Sequence, residues 1–174
     1  MIIDCLSKAI FMYVIYLAIT LMLFGVPKSL SATYYLFKDR VDNLKYLFPA
    51  MIVMMVMFMT PCWLELSKYS VFQFTAFLSM GGLLFVGATP AFRDSEMDSK
   101  IHDVAAYLCA ILAVLWIVLV TPYWYILLIV CIVVGALAYV TKTWKTSYIF
   151  WLENAVLFST FISMIAYFET HFKA

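Results

Sequence analysis

The sequence contains little charge. Only 12% of its 174 residues are Asp, Glu, Lys or Arg, whereas 67% are hydrophobic. A soluble domain carries about 25% charged residues, so this composition excludes a soluble globular protein and indicates an integral membrane protein. The net charge of +1, without a clustered basic surface, also excludes a strong nucleic-acid binder.

Histidine and metal-binding cysteine motifs are scarce as well. The chain has two histidines and four cysteines, with no Cys-x-x-Cys pair and no Cys/His spacing typical of a metal site. Catalytic zinc usually has three protein ligands, whereas His102 and His171 lie far apart in the sequence. No glycine-rich phosphate loop, dinucleotide motif or Ser-His-Asp order is present. We therefore predict no metal and no cofactor, and we interpret the cysteines as structural.

Long apolar runs are abundant. A membrane-spanning helix needs about 20 mostly apolar residues, and the chain has six runs close to this length. They cover residues 9–26, 46–64, 71–91, 104–120, 123–141 and 147–168. The pattern predicts an all-α integral membrane protein, a six-transmembrane-helix bundle that forms a single transmembrane domain over residues 1–174.

Small residues predict which of these helices pack most closely. The third run contains Gly81 and Gly82, and the fourth has Ala105, Cys109 and Ala113 along roughly one side. Missing or short side chains allow neighbouring helix backbones to approach. We expect the third and fourth helices to be central partners.

The cations are distributed unevenly among the loops. Of the 11 Lys and Arg residues, all but Lys8, Lys68 and Lys173 fall after the first, third and fifth apolar runs. By the positive-inside rule these three loops are cytoplasmic. Both termini are then outside the cytoplasm, and a bacterial inner membrane is the expected location.

This arrangement predicts that most polar side chains lie at one membrane face. The predicted function is a polar pocket at the cytoplasmic face that binds a lipid headgroup or a small polar ligand, because arginine holds phosphate through its planar guanidinium. The candidate ligand-binding residues are Ser29, Ser31, Tyr35, Arg40, Arg93 and Asn154. Alternatively, the cations only set topology and contact headgroups non-specifically. Membrane lipid is the predicted partner, and a homo-oligomer is possible.

Two other functions are left open by the residues. In a membrane-embedded hydrolase or transferase acting on lipid, His102 would be the general base and Asp94 or Glu153 would orient it. Ionisable groups inside a span are costly, so we expect Glu153 to face the interior. Alternatively, Asp103 complements a helix dipole and His102 only forms an interfacial hydrogen bond. A small transporter or channel subunit would need a polar path, and the helices supply few residues for one.

Two short motifs carry a resemblance. Pro27-Lys-Ser-Leu-Ser-Ala-Thr-Tyr-Tyr35, followed by Thr89-Pro-Ala-Phe92 and Ile101-His-Asp-Val-Ala-Ala106, resembles a group of small uncharacterised bacterial multi-span membrane proteins. The resemblance implies six or seven helices and a polar site from Ser29, Ser31, Tyr35 and His102. A more distant similarity is to membrane hydrolases related to alkaline ceramidases. This chain departs from them, because its last helix has no His-x-x-x-His and its histidines are too few for their zinc site.

Overall fold

The computed structural model describes residues 2–172, which fold into seven α-helices and one short 3-10 turn without a β-strand. The turn covers Asp42–Tyr46. The helices are α1 (Ile2–Phe24), α2 (Thr33–Arg40), α3 (Leu47–Leu66), α4 (Gln73–Ala88), α5 (Glu96–Val120), α6 (Trp124–Val140) and α7 (Tyr148–His171). The all-α architecture is confirmed. Lys173, one of the cations assigned above to the outer face, lies outside the described residues.

Each predicted apolar run coincides with a helix, but polar residues extend some helices beyond the run. α5 begins at Glu96 rather than at 104, because the Ser95 hydroxyl accepts a hydrogen bond from the Asp98 amide at 3.3 Å. Such a cap satisfies a free amide of the first turn, and acidic residues there complement the helix dipole. α1 likewise begins at Ile2 rather than at 9. Hydropathy therefore located the apolar segments but not the helix ends, and at α5 the Ser95 cap accounts for the difference.

Four helical segments in residues 2–172 are long and apolar enough to cross a membrane: α1, the 3-10 turn with α3, α5 and α7. α4 has 16 residues and α6 has 17. At 1.5 Å per residue they are about 24 and 26 Å long, shorter than the bilayer hydrocarbon of about 30 Å. The structure thus has four candidate spans and two shorter apolar helices.

The helices pack as neighbouring pairs around α3. α1 and α4 pack on α3, α4 pairs with α5, and α6 pairs with α7. Near the ends of α3 and α5, Trp63 and Trp116 form an edge-to-face pair with ring centroids 5.4 Å apart. The Trp116 indole donates a hydrogen bond to the Ser67 hydroxyl at 2.7 Å, whereas the buried Trp63 Nε1 has no hydrogen-bond partner in residues 2–172.

The predicted close contact between the glycine-containing helix and the alanine-rich helix is confirmed, but only one of the two glycines makes it. A Cβ placed on Gly82 would lie 2.9 Å from the Ala105 carbonyl oxygen, whereas one placed on Gly81 would meet no atom within 4 Å. The Ser79 hydroxyl donates to the Cys109 carbonyl at 2.9 Å across the same contact. We call this contact, made by Gly82, Ser79, Ala105 and Cys109, the α4–α5 seam.

The segment after α1 is packed into the bundle. Gly25 has φ +70°, a conformation that suits glycine, and it turns the chain as α1 ends. The side chains of Leu30, Thr33 and Phe37 are then buried. Tyr34 is buried as well. The segment therefore forms part of the core at this end of the molecule.

Candidate functional site

Three hydrogen bonds attach the segment after α1 to the beginning of α7. The Ser147 hydroxyl donates to the Val26 carbonyl at 3.4 Å, and the Phe150 amide donates to the Lys28 carbonyl at 3.2 Å. The Leu30 amide donates to Glu153 Oε2 at 2.6 Å. Together these contacts position a loop backbone against the first two turns of a long helix.

A cavity of about 80 Å³ lies beside Glu153. Ser31 and Glu153 supply its polar side chains, and Cys109 adds a thiol. Its apolar lining comes from Leu30, Phe48, Met51, Ile52, Met55, Leu83, Val86, Ala106, Ala110, Val156 and Leu157. A water needs about 10–15 Å³ of such volume, so the cavity has room for a few waters or a slender chemical group.

Glu153 is the only acidic or basic residue in this cavity lining. Within residues 2–172 its carboxylate has one hydrogen-bond donor, the Leu30 amide, and no ion pair. A carboxylate in apolar surroundings is costly without partners. No hydrogen bond in residues 2–172 involves its second oxygen, Oε1, which is therefore a free acceptor on a residue that lines the cavity.

The two predicted serines have different roles. The Ser29 hydroxyl accepts from the Ala32 amide at 3.1 Å and lies 3.2 Å from the Ser31 hydroxyl. Ser29 thus stabilises the turn that leads into α2, as its capping chemistry predicts. Ser31 lines the cavity beside Glu153, so it is the serine available to a ligand.

Arg93 and Tyr35 form a contact near the start of α5. The Arg93 amide donates to the Tyr35 hydroxyl at 2.7 Å, and the guanidinium carbon lies 4.7 Å from the Tyr35 ring centroid and 5.4 Å from that of Phe92. Arg93 is exposed. Burial raises the pKa of Tyr35 above its ordinary value. The contact brings the loops after α1 and α4 to the same end of the bundle.

His102 is buried and has its own partners. Its Nδ1 lies 3.1 Å from the Thr89 carbonyl oxygen and 3.2 Å from the Thr89 hydroxyl, and Phe92 stacks on the ring at 4.3 Å. Asp94 is exposed. In the described part of the chain, no hydrogen bond joins His102, Asp94 and Glu153 to one another. The structure therefore does not bring the three predicted catalytic residues into direct contact.

Asn154 and Arg40 are not among the residues that line the cavity. The Asn154 side chain is buried between α1 and α7, where Oδ1 accepts from the Tyr13 hydroxyl at 2.8 Å and Nδ2 donates to the Phe150 carbonyl at 2.7 Å. The Arg40 guanidinium is exposed at the end of α2, with its central carbon 6.0 Å from the Phe24 ring centroid. Asn154 thus makes a helix-to-helix contact, and Arg40 belongs to the surface.

Sequence reasoning missed the tyrosines of α1. The Tyr16 hydroxyl donates to Thr33 Oγ1, which in turn donates to the Leu30 carbonyl, so α1 supports the segment that carries Leu30. The signal was present in the spacing of the buried residues of α1, which recur every three or four positions. They are Leu6, Ala9, Tyr13, Tyr16 and Thr20.

The residues that the structure describes contain no group of three or more His, Cys, Asp or Glu side chains placed to hold a metal ion. Their four cysteines are free thiols. Comparison with protein-family models, curated proteins and solved structures gave no match. The two resemblances drawn from the loop motifs therefore stay predictions.

Proposed function

We propose that this chain is a six-span membrane protein whose cytoplasmic-face cavity binds the polar group of an amphipathic ligand, such as a membrane lipid. The observation that supports this proposal is the cavity beside Glu153, in which one carboxylate with a free oxygen faces an apolar lining. The polar group of the ligand hydrogen-bonds to Glu153 and Ser31. Its apolar part contacts the side chains of α3 and α4.

The connections support six spans although α4 and α6 are short. The hydrogen bonds between residues 26–30 and the start of α7 put the end of α1 and the beginning of α7 at one end of the bundle. α5 runs away from that end, so α6 must return the chain to it. α4 returns the chain from the end of α3 in the same way. A bilayer accommodates a short helix by local thinning or by anchoring side chains at its ends.

The charge pattern supports the orientation. The loops that follow α1, α4 and α6 carry most of the cations, and such loops face the cytoplasm in inner-membrane proteins. We therefore assign the Glu153 cavity to the cytoplasmic half of a bacterial inner membrane. Both termini are outside the cytoplasm.

The side chains define the chemistry of the ligand. A carboxylate with a free oxygen accepts a hydrogen bond, so the polar group must present a hydrogen-bond donor such as a hydroxyl, an amine or an amide. Arg93, exposed at the same end of the bundle, supplies a guanidinium that grips a phosphate. The ligand class is therefore an amphiphile with a donor group for Glu153, with or without a phosphate for Arg93.

Glu153→Gln tests the proposal, because the amide keeps an acceptor oxygen for the Leu30 amide but removes the charge. A hydrogen bond to a charged group contributes about 1.5–3 kcal/mol, so retention of the bound amphiphile should fall about tenfold or more. The measurement is mass spectrometry of the lipids that copurify with the protein in mild detergent. Asp103→Asn makes the same charge change at an exposed position of α5 and should leave retention unchanged.

Arg93→Ala is the second arm of the experiment. If the amphiphile carries a phosphate, this variant should also lower retention, whereas an amphiphile without phosphate should be unaffected. Copurification of no amphiphile with the unmodified protein would contradict the proposal. Equal retention by Glu153→Gln and the unmodified protein would contradict it as well.

A further inference from the structure

A second depression lies on the outside of the α4–α5 pair. It is a groove of about 530 Å³ whose lining includes Gly81 and Gly82. Its walls include Leu78 and Phe85 of α4 and Leu108 of α5, and Lys100 is its only charged lining residue. The groove is therefore apolar along its length and cationic at one place.

The groove is separate from the cavity beside Glu153. The cavity is lined by Leu83 and Val86 of α4 and by Ala106 and Ala110 of α5, whereas the groove is lined by other residues of the same two helices. The α4–α5 seam lies between them. The side chains of Phe85 and Leu108 at the groove are 59% and 47% exposed, so in a membrane this surface faces lipid.

Gly81 lines the groove without a side chain. A Cβ at this position would meet no atom within 4 Å, so the packing of the protein does not require glycine there. A glycine inside a helix is unfavourable compared with alanine. Its missing side chain therefore leaves space on the lipid-facing surface rather than allowing a contact within the chain.

Lys100 gives the groove its charge preference. Its ammonium contacts Glu96 Oε1 at 2.7 Å, but the two side chains are 74% and 84% exposed. An exposed pair of this kind is weak, so the ammonium can also bind an anionic group. Lys100 stands near the start of α5, and Leu108 is eight residues further, about 12 Å along the helix. This length covers most of one leaflet, about 15 Å of hydrocarbon.

We propose that this groove binds one acyl chain of an anionic phospholipid, with the phosphate at Lys100 and the chain on Gly81. The site rests on the membrane placement in the proposed function, but it does not involve Glu153. Charge complementarity identifies the occupant, because the electrostatic contribution of Lys100 to binding is smaller for a lipid without net negative charge. The apolar remainder of the lining matches a hydrocarbon chain.

Gly81→Leu tests the site, since its Cβ meets no atom within 4 Å and the rest of the new side chain occupies the groove. The matched control is Gly135→Leu on α6, where a Cβ also meets no atom within 4 Å. The measurement is native mass spectrometry of the full chain in micelles that contain phosphatidylglycerol or phosphatidylcholine with identical chains. The unmodified protein and Gly135→Leu should retain phosphatidylglycerol at least fivefold better than phosphatidylcholine. Gly81→Leu should lose most of the bound phosphatidylglycerol.

Lys100→Gln separates the headgroup from the chain. This variant should bind both lipids equally, because it removes the cation and leaves the groove open. Unchanged phosphatidylglycerol binding by Gly81→Leu would overturn the proposal. Conversion of a dimer to a monomer by Gly81→Leu, without loss of lipid, would also overturn it and identify a second copy as the occupant.

These experiments distinguish failure of the groove proposal from failure of the proposal for the Glu153 cavity. Glu153→Gln should leave phosphatidylglycerol at the groove unchanged, so loss of the copurified amphiphile without loss of phosphatidylglycerol supports two separate sites. If Gly81→Leu has no effect while Glu153→Gln releases its ligand, only the groove proposal fails. Absence of the chain from the membrane fraction would contradict both proposals.

Discussion

A side-chain hydrogen bond joins the middle of α1 to α7. The Tyr13 hydroxyl donates to Asn154 Oδ1 at 2.8 Å, and both side chains are buried. Tyr13 also lies edge-to-face with Phe158, with centroids 5.7 Å apart. The phenol is thus held by its ring as well as by its hydroxyl, and the hydroxyl can be removed without removing the ring.

Tyr13→Phe should destabilise the protein by about 0.6 kcal/mol and by no more than about 1.7 kcal/mol, the range of interhelical hydrogen bonds in membrane proteins. The measurement is the free energy of unfolding in mixed micelles as detergent composition is varied. Tyr139→Phe, at a tyrosine that is 81% exposed, is the control and should have no effect. An equal loss from Tyr13→Phe in an Asn154→Ala background would show that the two side chains are not coupled.

At the level of single residues, the sequence predicted the environment of the Glu153 side chain better than that of Asn154. The cost of a carboxylate in an apolar run indicated that Glu153 faces the interior, and the structure places it at a cavity. Asn154 follows it, about 100° further around the helix at 3.6 residues per turn, so it faces α1 instead. The two positions could not be separated without knowing which helix lies on each side of α7.

At the scale of helices, the α4–α5 seam depends on one glycine. The Ala105 carbonyl oxygen would lie 2.9 Å and the Cys109 amide nitrogen 3.1 Å from a Cβ on Gly82. Both atoms are backbone, so neither can move as a flexible side chain would. The helices must separate to admit even one methyl group.

Gly82→Ala should therefore destabilise the bundle by about 1–3 kcal/mol, as overpacking of a well-packed core does. Gly81→Ala is the control: its Cβ meets no atom, so the better helix propensity of alanine should stabilise by up to about 1 kcal/mol. Unfolding in mixed micelles measures both variants. Opposite signs are the expected result, and a similar effect of the two substitutions would contradict the assignment of Gly82 to the contact.

The segment between α1 and α3 is buried to an extent that charge patterning does not predict. Its cations predicted a cytoplasmic loop, and Lys38 and Arg40 lie in the last turn of α2. However, Leu30, Thr33 and Phe37 are buried, because α1 and α7 supply hydrogen-bond partners for the loop backbone and for Thr33. Those partners are distant in sequence, so composition could locate the segment but could not predict its burial.

For the whole molecule, the six-span proposal makes a prediction about sidedness. Tyr69 in the loop after α3 and Lys145 in the loop after α6 are both exposed, and the proposal puts them on opposite sides of the membrane. In a background without the native cysteines, Tyr69→Cys should react with an impermeant maleimide added to intact spheroplasts. Lys145→Cys should react only after permeabilisation.

The possible results separate orientation from span number. Reversed labelling would contradict the positive-inside assignment but keep the six spans. Labelling of both positions from one side would contradict the six-span count, because α4, α5 and α6 connect the two loops. Ser95→Cys, in the exposed loop between α4 and α5, is the control and should label from the same side as Lys145→Cys.

Glu153 connects two features of this arrangement, since its carboxylate accepts the Leu30 amide and its side chain lines the cavity. Binding of a ligand to this carboxylate is then coupled to the ordering of residues 26–37. By thermodynamic reciprocity, each changes the free energy of the other by the same amount. Hydrogen exchange at the Leu30 amide would therefore report whether the cavity is occupied, without a label on the ligand.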